Sequence, residues 1–428
     1  MKVLVVGSGG REHALAWGLA RSPQVDEVVA APGNAGIAGV ARLERVAADD
    51  LDGQVALAAR EHPDLVVVGP EAPLVAGLAD RLRAGGHRVF GPSGAAARIE
   101  GSKSFAKEVM ARRGVPTARA GAFDDAGKAV AFLDELGGIG VVKADGLAAG
   151  KGVTVATDRA SAVAAIEECL AGAFGEAGRV VLVEELLEGP EVSLFGVTDG
   201  NGNCVLLDAA ADHKRIGDGD TGPNTGGMGA YSPVPTLDAE TATLVLDTVI
   251  APVVDELRPY VGVLFAGLML TADGPKVLEF NCRFGDPETQ VLVPRMPYDL
   301  FSLFEACARG WLPDATGHAG FDEGAAVTVV LASGGYPGGY ETGVPIEGLT
   351  EASSVAGATV FHAGTARSGD TVVTAGGRVL AVTGTAATID DARAVAYRAA
   401  DRITFEGKTY RRDIGAHAGS RGRSSRDR

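Results

Sequence analysis

The sequence predicts a multidomain α/β protein, with an N-terminal doubly wound parallel-sheet domain, a central α/β region and a C-terminal α+β domain. Three observations carry that expectation. At 428 residues the chain is too long for one hydrophobic core. Through the first hundred residues, short β-branched runs alternate with Ala/Leu/Arg-rich helical patterns, the rhythm of a parallel sheet. Glycine is abundant at 61 residues while aromatics make up only 5%, which suits tight loops and layers packed with Ala, Val and Leu.

Taken in order, 3–6, 27–30, 65–68 and 88–90 are strand candidates separated by helices. Ligands on such sheets sit at the carboxyl ends of the strands, where this chain places Gly7-Ser8-Gly9-Gly10, Pro32-Gly33-Asn34 and Gly69-Pro70-Glu71. Ser102 is the expected cap of a helix carrying Lys103 and Lys107. A second unit over about 115–190 holds strands near 140–143 and 180–184, and a third covers about 191–300. From Gly324 the runs at 326–331, 360–362 and 379–382 look antiparallel, and one long helix follows near 389–402. They predict a separate α+β cap. Residues 416–428 are rich in Arg, Ser and Gly without apolar period, and a disordered tail is expected.

The bulk chemistry excludes several classes. A net charge of −16 argues against a general nucleic-acid binder or an anionic-membrane binder. Any anionic substrate then needs a locally basic site. The four cysteines have no CxxC spacing and read as free thiols of a reducing compartment, so a cytoplasmic location is expected.

The run Val277-Leu278-Glu279-Phe280-Asn281-Cys282-Arg283 is the most informative. Glu279 and Asn281 are two apart, so they share one face of an extended strand. Hard oxygen ligands on one face suit Mg²⁺ (or Mn²⁺), which completes its shell with phosphate oxygens. Arg283 lies on that face if the strand persists, ready to hold an anion bidentately. Asp286 and Glu288 build the turn behind it. In Val142-Lys143-Ala144-Asp145-Gly146, with Gly150-Lys151-Gly152 following, a strand delivers one lysine and a glycine loop another, as polyphosphate requires. The loop is not a Walker A motif, since it is one residue short and Gly152 replaces the metal-binding hydroxyl. Gly7-Ser8-Gly9-Gly10-Arg11-Glu12 lacks the third glycine of a dinucleotide fingerprint, yet Gly9, Gly10 and Arg11 could hold one phosphate. Equally, it could be a tight structural turn. Acidic residues around Leu187, namely Glu184 and Glu191, could border a base and a ribose, though surface acids are the commoner explanation. Asp212-His213-Lys214-Arg215 and Asn224-Thr225-Gly226-Gly227 form a long polar excursion, and such segments tend to be functional. A lone histidine is more often structural, so His213 is not assigned a catalytic role.

Together these motifs resemble the ATP-grasp superfamily and, within it, the glycinamide ribonucleotide synthetase family. The specific segments are GGREHALAW (9–17), APGNAG (31–36), GPEAPL (69–74), KADGLAAGKGV (143–153), DHKR (212–215), DTGPNTGGMGAYSP (220–233) and EFNCRFGDPETQ (279–290). The resemblance runs from Met1 to the Arg412-Asp413-Ile414-Gly415 ending. It implies an N-terminal substrate domain (1–102), a central ATP-grasp fold of two α+β subdomains (103–322) with a mobile lid at about 118–190, and a C-terminal domain (323–415). It implies ATP-dependent joining of glycine to 5-phosphoribosylamine in purine biosynthesis by a monomer or weak dimer. Lys103, Lys143, Gly146, Gly150, Lys151, Gly152, Glu184, Leu187 and Glu191 are the implied ATP contacts. Glu279 and Asn281 are the implied metal ligands, and Arg283, Lys214 and Asp212 the implied catalytic groups. Gly9, Gly10, Arg11, Gly33, Asn34, Gly69, Pro70, Glu71, Arg215, Asn224, Gly226 and Gly227 are the implied surroundings of the two substrates.

Many superfamily members carry a further metal-binding carboxylate on the preceding strand. Here that stretch is Gly267-Leu268-Met269-Leu270, with Asp273 in the turn. Three alternatives remain: another ATP-grasp carboxylate–amine ligase, an NAD-linked dehydrogenase suggested by the N-terminal GxG but opposed by Glu12, and a non-catalytic nucleotide-binding regulator.

Overall fold

In the computed structural model, which describes residues 1–147, 152–312, 316–318, 321, 323–416 and 418, the first hundred residues form the expected parallel sheet. Its strands, in spatial order, are Arg42–Leu43, Glu27–Pro32, Lys2–Gly7, Leu65–Val68 and Val89–Phe90, all parallel. Alternate residues feed two different cores because strand side chains alternate faces. Leu4, Val6, Val66 and Val68 pack on one side with Leu57 and Leu78, while Val3, Val5, Leu65 and Val67 pack on the other with Leu15 and Leu19. Both cores continue into the central region, through Val192, Leu194 and Val245 on one side and Phe195, Val263 and Phe304 on the other. The N-terminal domain is thus fused to the central region through shared cores.

Residues 120–184 build a four-stranded sheet in the order Ala120–Phe123, Val181–Glu184, Gly140–Ala144, Val153–Ala156, covered by the helices Ala126–Glu135 and Arg159–Glu168. Its core, including Ala129, Leu133, Ile166 and Val183, is a cluster of its own. The link back runs through Pro116 and Thr117: Val277 N–H donates to the Pro116 carbonyl at 2.8 Å, and Thr117 Oγ1 to the Val277 carbonyl at 2.7 Å.

The next sheet runs Gly274–Asn281, Val261–Thr271, Glu191–Asp199, Cys204–Leu206 and Thr316–His318. A bulge at Leu278 interrupts its edge: Glu279 pairs with Gly267, but Val277 pairs with Leu268.

The C-terminal region forms the expected α+β unit, but its sheet is shared with the central region. Its sheet takes Ala211–Asp212 and Gly229–Ser232 from the central region and adds Ala325–Ala332, Arg378–Ala386 and Ala358–His362. The reason is pairing: Gly229–Ser232 lies antiparallel to 326–329 in continuous register, so the segment carrying Asp212 is an edge of this sheet. The helix Ile389–Ala400 covers it, capped by Thr388. Of the 416–428 tail, Ala416 and Ala418 close a turn through hydrogen bonds to the Asp413 and Gly415 carbonyls, and the other residues lie outside those described. No described helix is long and apolar enough to cross a membrane.

The N-terminal and C-terminal regions meet at a buried pair of imidazoles. His362 N–H donates to His13 Nδ1 at 2.7 Å, which fixes that nitrogen as an unprotonated acceptor. Burial depresses His13 to about 3 and His362 to about 4. In the unfolded chain both titrate near their ordinary ~6.5, so below that pH the unfolded state binds more protons. Stability is therefore expected to fall from about pH 6.5 and level off near the folded values. Urea unfolding midpoints at pH 7.5 and pH 5 measure this, and His13→Gln, which keeps an acceptor, should lessen the drop.

Candidate active site

The helix Lys103–Arg113 starts at Ser102, whose hydroxyl accepts from Phe105 N–H at 3.2 Å, as its cap position predicts. That start sends Lys103 Nζ against the carbonyls of Ala144 (2.8 Å) and Gly146 (3.0 Å). Lys143, on the facing strand and 6% exposed, donates to the Leu278 carbonyl at 3.0 Å and pairs with Glu184 Oε2 at 3.0 Å. Lys107 closes the other oxygen of Glu184 at 3.3 Å. Glu184 is thus enclosed by two ammonium groups, and Lys107 is a site residue that the sequence motifs left unassigned. Its signal was present: four positions after Lys103, it shares a helix face with it.

Glu279 and Asn281 do share a face, opposite Gly267 and Phe265 respectively. Withdrawal from water raises the Glu279 carboxyl, but Lys214, Lys143, Lys103 and Arg283 around it carry it below its ordinary value. Lys214 Nζ contacts Glu191 and lies 4.0 Å from Glu279 Oε1. Burial would discharge that ammonium, yet Glu191, Asp212 and Glu279 hold it well above the ordinary lysine range. Asp212 is raised as well, but here desolvation is the main cause: Glu288, Glu191 and Glu279 add to it, and Lys214 opposes it. Glu288, read from sequence as turn-building, therefore stands within the site's electrostatic field, and Ser193 Oγ donates to it at 3.3 Å. Glu191 is paired with Lys214 rather than standing open.

Arg283 is also not the open guanidinium the strand pattern predicted. It donates to Glu71 at 3.1 Å, Glu100 at 2.7 Å and the Phe284 carbonyl at 3.2 Å. The partners come from the N-terminal region, far away in sequence. Arg11 donates to Glu12 at 2.6 Å and to the same Phe284 carbonyl at 3.1 Å. Glu12 turns back to accept from Gly9 N–H at 2.5 Å, occupying the position of an external anion at this helix start. Gly69 is required here, since a Cβ on it would lie 2.2 Å from Glu12 Oε1. Gly10 packs under Gln290, and Pro70 precedes the short helix Glu71–Val75.

Asn34 is a tie between regions. Its amide donates to the Ser8 and His362 carbonyls, both at 2.8 Å, and its oxygen accepts from Gly36 and Ile37 N–H, both at 2.9 Å. Gly33 (φ +69°) makes the turn before it. Gly226 N–H donates to Tyr336 at 3.0 Å, and Arg378 donates to the Gly226 carbonyl and to that of Asp286 (2.7 Å). These side chains border a cavity of about 270 Å³ with Ser8, Gly9, Ala363 and Gly364. Arg378 and Tyr336 had no sequence signal, since only folding brings them beside 226–227. Arg215 and Asn224 pair across a small ribbon. Gly146 packs on Ala177, and Gly152 accepts from Ala144 N–H at 2.8 Å. Leu187, partly buried, follows the strand Val181–Glu184. Gly150 and Lys151 lie outside the described residues.

Glu279 and Asn281 fit a hard divalent cation as one carboxylate and one amide. Among the described residues no three His, Cys, Asp or Glu side chains form a ready metal cage, so such an ion needs further oxygens, as Mg²⁺ takes from phosphates.

Family models for phosphoribosylglycinamide synthetase match the N domain at residues 1–100, the ATP-grasp (A) domain at 101–289 and the C domain at 326–417. The phosphoribosylamine–glycine ligase of Brucella melitensis is 50% identical over 430 residues, covering 100% of both chains. The chain belongs to the phosphoribosylglycinamide synthetase family. Another member, from Caulobacter vibrioides, is 52% identical over 423 residues and 98% of each chain. Within the family, the crystal structure of the Thermotoga maritima phosphoribosylamine–glycine ligase superposes with a TM-score of 0.82 at 35% identity, covering 97% of this chain and 100% of that one. The biotin carboxylase domain of the Hydrogenobacter thermophilus 2-oxoglutarate carboxylase, solved with MgADP, ADP and bicarbonate, shares the fold at a TM-score of 0.74 and 19% identity, covering 96% and 91%.

Proposed function

We propose that this chain joins glycine to 5-phosphoribosylamine at the expense of ATP, giving glycinamide ribonucleotide, ADP and phosphate in purine biosynthesis. The observation that carries this reading is the convergence of Lys103, Lys143 and Lys214 on Glu279, in a chain homologous over its whole length to ligases of that name. A carboxylate does not react with an amine, because oxide is a poor leaving group. One glycine oxygen attacks the γ-phosphorus, the bond to the β-phosphate oxygen breaks, and ADP leaves. The amine then attacks the carbonyl carbon of the glycyl phosphate, the C–N bond forms, and phosphate departs with that glycine oxygen. Such transfer depends on positioning and charge neutralisation, which the lysines supply. Asp212, whose carboxyl burial raises and the Lys214 ammonium opposes, is the proposed acceptor of the amine proton. Glu279 and Asn281 would hold Mg²⁺ or Mn²⁺, whose chemistry is to neutralise phosphate charge. Glu184 and Leu187 border the adenine, Glu191 the ribose, and the loops at 9–11, 69–71 and 224–227 the two substrates. The setting is cytoplasmic, in keeping with four free cysteines, all buried.

The test is substrate dependence. ADP release should require glycine and phosphoribosylamine together. Release with either one alone, or with neither, would reject this assignment.

A further inference from the structure

The ending Arg411-Arg412-Asp413-Ile414 takes no part in the mechanism above, yet Arg411 is 1% exposed. A buried guanidinium must be held by something, and this one is held by the ribbon that follows the Asp212–Arg215 segment. That ribbon, Arg215–Gly217 with Thr221–Asn224, pairs only with itself and has a register shift. Residues 218–223 are exposed. A two-stranded ribbon without a covering core is marginal on its own, so its placement must come from elsewhere.

It comes from the C-terminal segment. Arg411 Nη1 donates to Asp220 at 2.7 Å and to the Arg215 carbonyl at 3.1 Å. Its Nε and Nη2 each donate to Asp413 at 2.7 Å. Asp413 in turn accepts from Gly219 N–H at 2.8 Å, and Asp218 accepts from Arg412 N–H at 2.7 Å. The segment is itself fixed to the helix Ile389–Ala400: Tyr397 donates to the Arg411 carbonyl at 2.8 Å, and Arg393 to that of Ile414 at 3.0 Å. At the ribbon's base, Thr225 N–H and Oγ1 both donate to the Lys214 carbonyl, at 2.7 and 2.8 Å. Lys214 then reaches Glu191. An unbroken chain of contacts therefore runs from the C-terminal helix to the charged centre.

We propose that Arg411, with Asp413 and Asp220, clamps the 215–224 ribbon, so that the C-terminal segment sets the affinity for the acceptor substrates without touching them or the nucleotide. This rests on the assignment of Lys214, Arg215 and 224–227 to the substrate end of the site. Arg411 is a positioning residue: its planar fork serves the ribbon and Asp413 at once, which a lysine cannot reproduce.

The experiment compares Arg411→Lys, Arg411→Met and Asp220→Asn with the wild-type full chain. Asp220 is exposed at the ribbon tip, so its variant tests the clamp even if Arg411→Met fails to fold. Expected are a rise of roughly tenfold in the KM for glycine with a smaller change in kcat, and an unchanged dissociation constant for a non-hydrolysable ATP analogue. Hydrogen exchange should speed up in 215–224 and not in the 120–184 sheet, with Arg411→Lys intermediate. Unchanged KM and unchanged exchange in Asp220→Asn and Arg411→Lys would overturn the clamp. If the wild type needs no glycine, the substrate assignment fails instead, and exchange in 215–224 still judges the clamp.

Discussion

Glu279→Gln is expected to lower ADP formation by at least about a hundredfold, with the fold intact. The substitution keeps the shape of the side chain and removes its charge. In the wild type that charge balances Lys214, Lys143 and Lys103, all of which draw the Glu279 carboxyl below its ordinary value. Without it the site presents ammonium groups with one fewer carboxylate, so nucleotide binding survives better than turnover. The cation loses its only charged ligand among the two proposed. Steady-state rates at saturating ATP, taken with a titration of the metal, measure this. Circular dichroism and the urea midpoint check the fold. Near-normal turnover in a folded variant would remove Glu279 from the chemistry.

Arg283→Met is expected to destabilise the protein by about 3–5 kcal/mol, because it leaves the buried Glu100 carboxylate without its partner. Glu100 is the more exposed to this loss: burial raises its carboxyl, Arg283 is what opposes that, and Cys282 N–H donates to it at 2.8 Å. Glu71 is affected through charge. Despite burial, Arg283 and then Arg11 carry it down to about 2. A carboxyl depressed on folding adds stability above its unfolded value of ~4.3, lost as pH falls through the folded value. Arg283→Met should therefore weaken the Glu71 part of the stability gained between about pH 2 and 4. Urea midpoints across that range read both effects. Adding Glu100→Gln should recover part of the loss at neutral pH. No recovery would mean that Arg283 acts through something other than these carboxylates.

How much of this was legible in the sequence divides by distance along the chain. Local patterns carried well. The β-branched runs at 3–6 and 65–68 predicted the strands Lys2–Gly7 and Leu65–Val68, Ser102 predicted its helix start, and the two-residue spacing put Glu279 and Asn281 on one face. Pairing between distant segments was not legible. Arg283 read as an open guanidinium because Glu71 and Glu100 lie some 180 to 210 positions earlier. Asn34 read as a substrate contact because nothing local shows that His362 would claim its amide. Glu288 read as a turn because only the folded chain returns it beside Ser193. The strand that ties the C-terminal unit to the central region was not legible, because the run at 229–232 gives no sign of its partner at 326–329.

The central claim is that the clustered lysines and Glu279 activate the glycine carboxylate by phosphoryl transfer. The direct measurement uses glycine carrying ¹⁸O in its carboxylate. Mass analysis of the inorganic phosphate formed in a complete reaction should find one labelled oxygen per phosphate, because the oxygen that attacks the γ-phosphorus leaves with it. Phosphate free of label, formed together with the ligated product, would contradict the account.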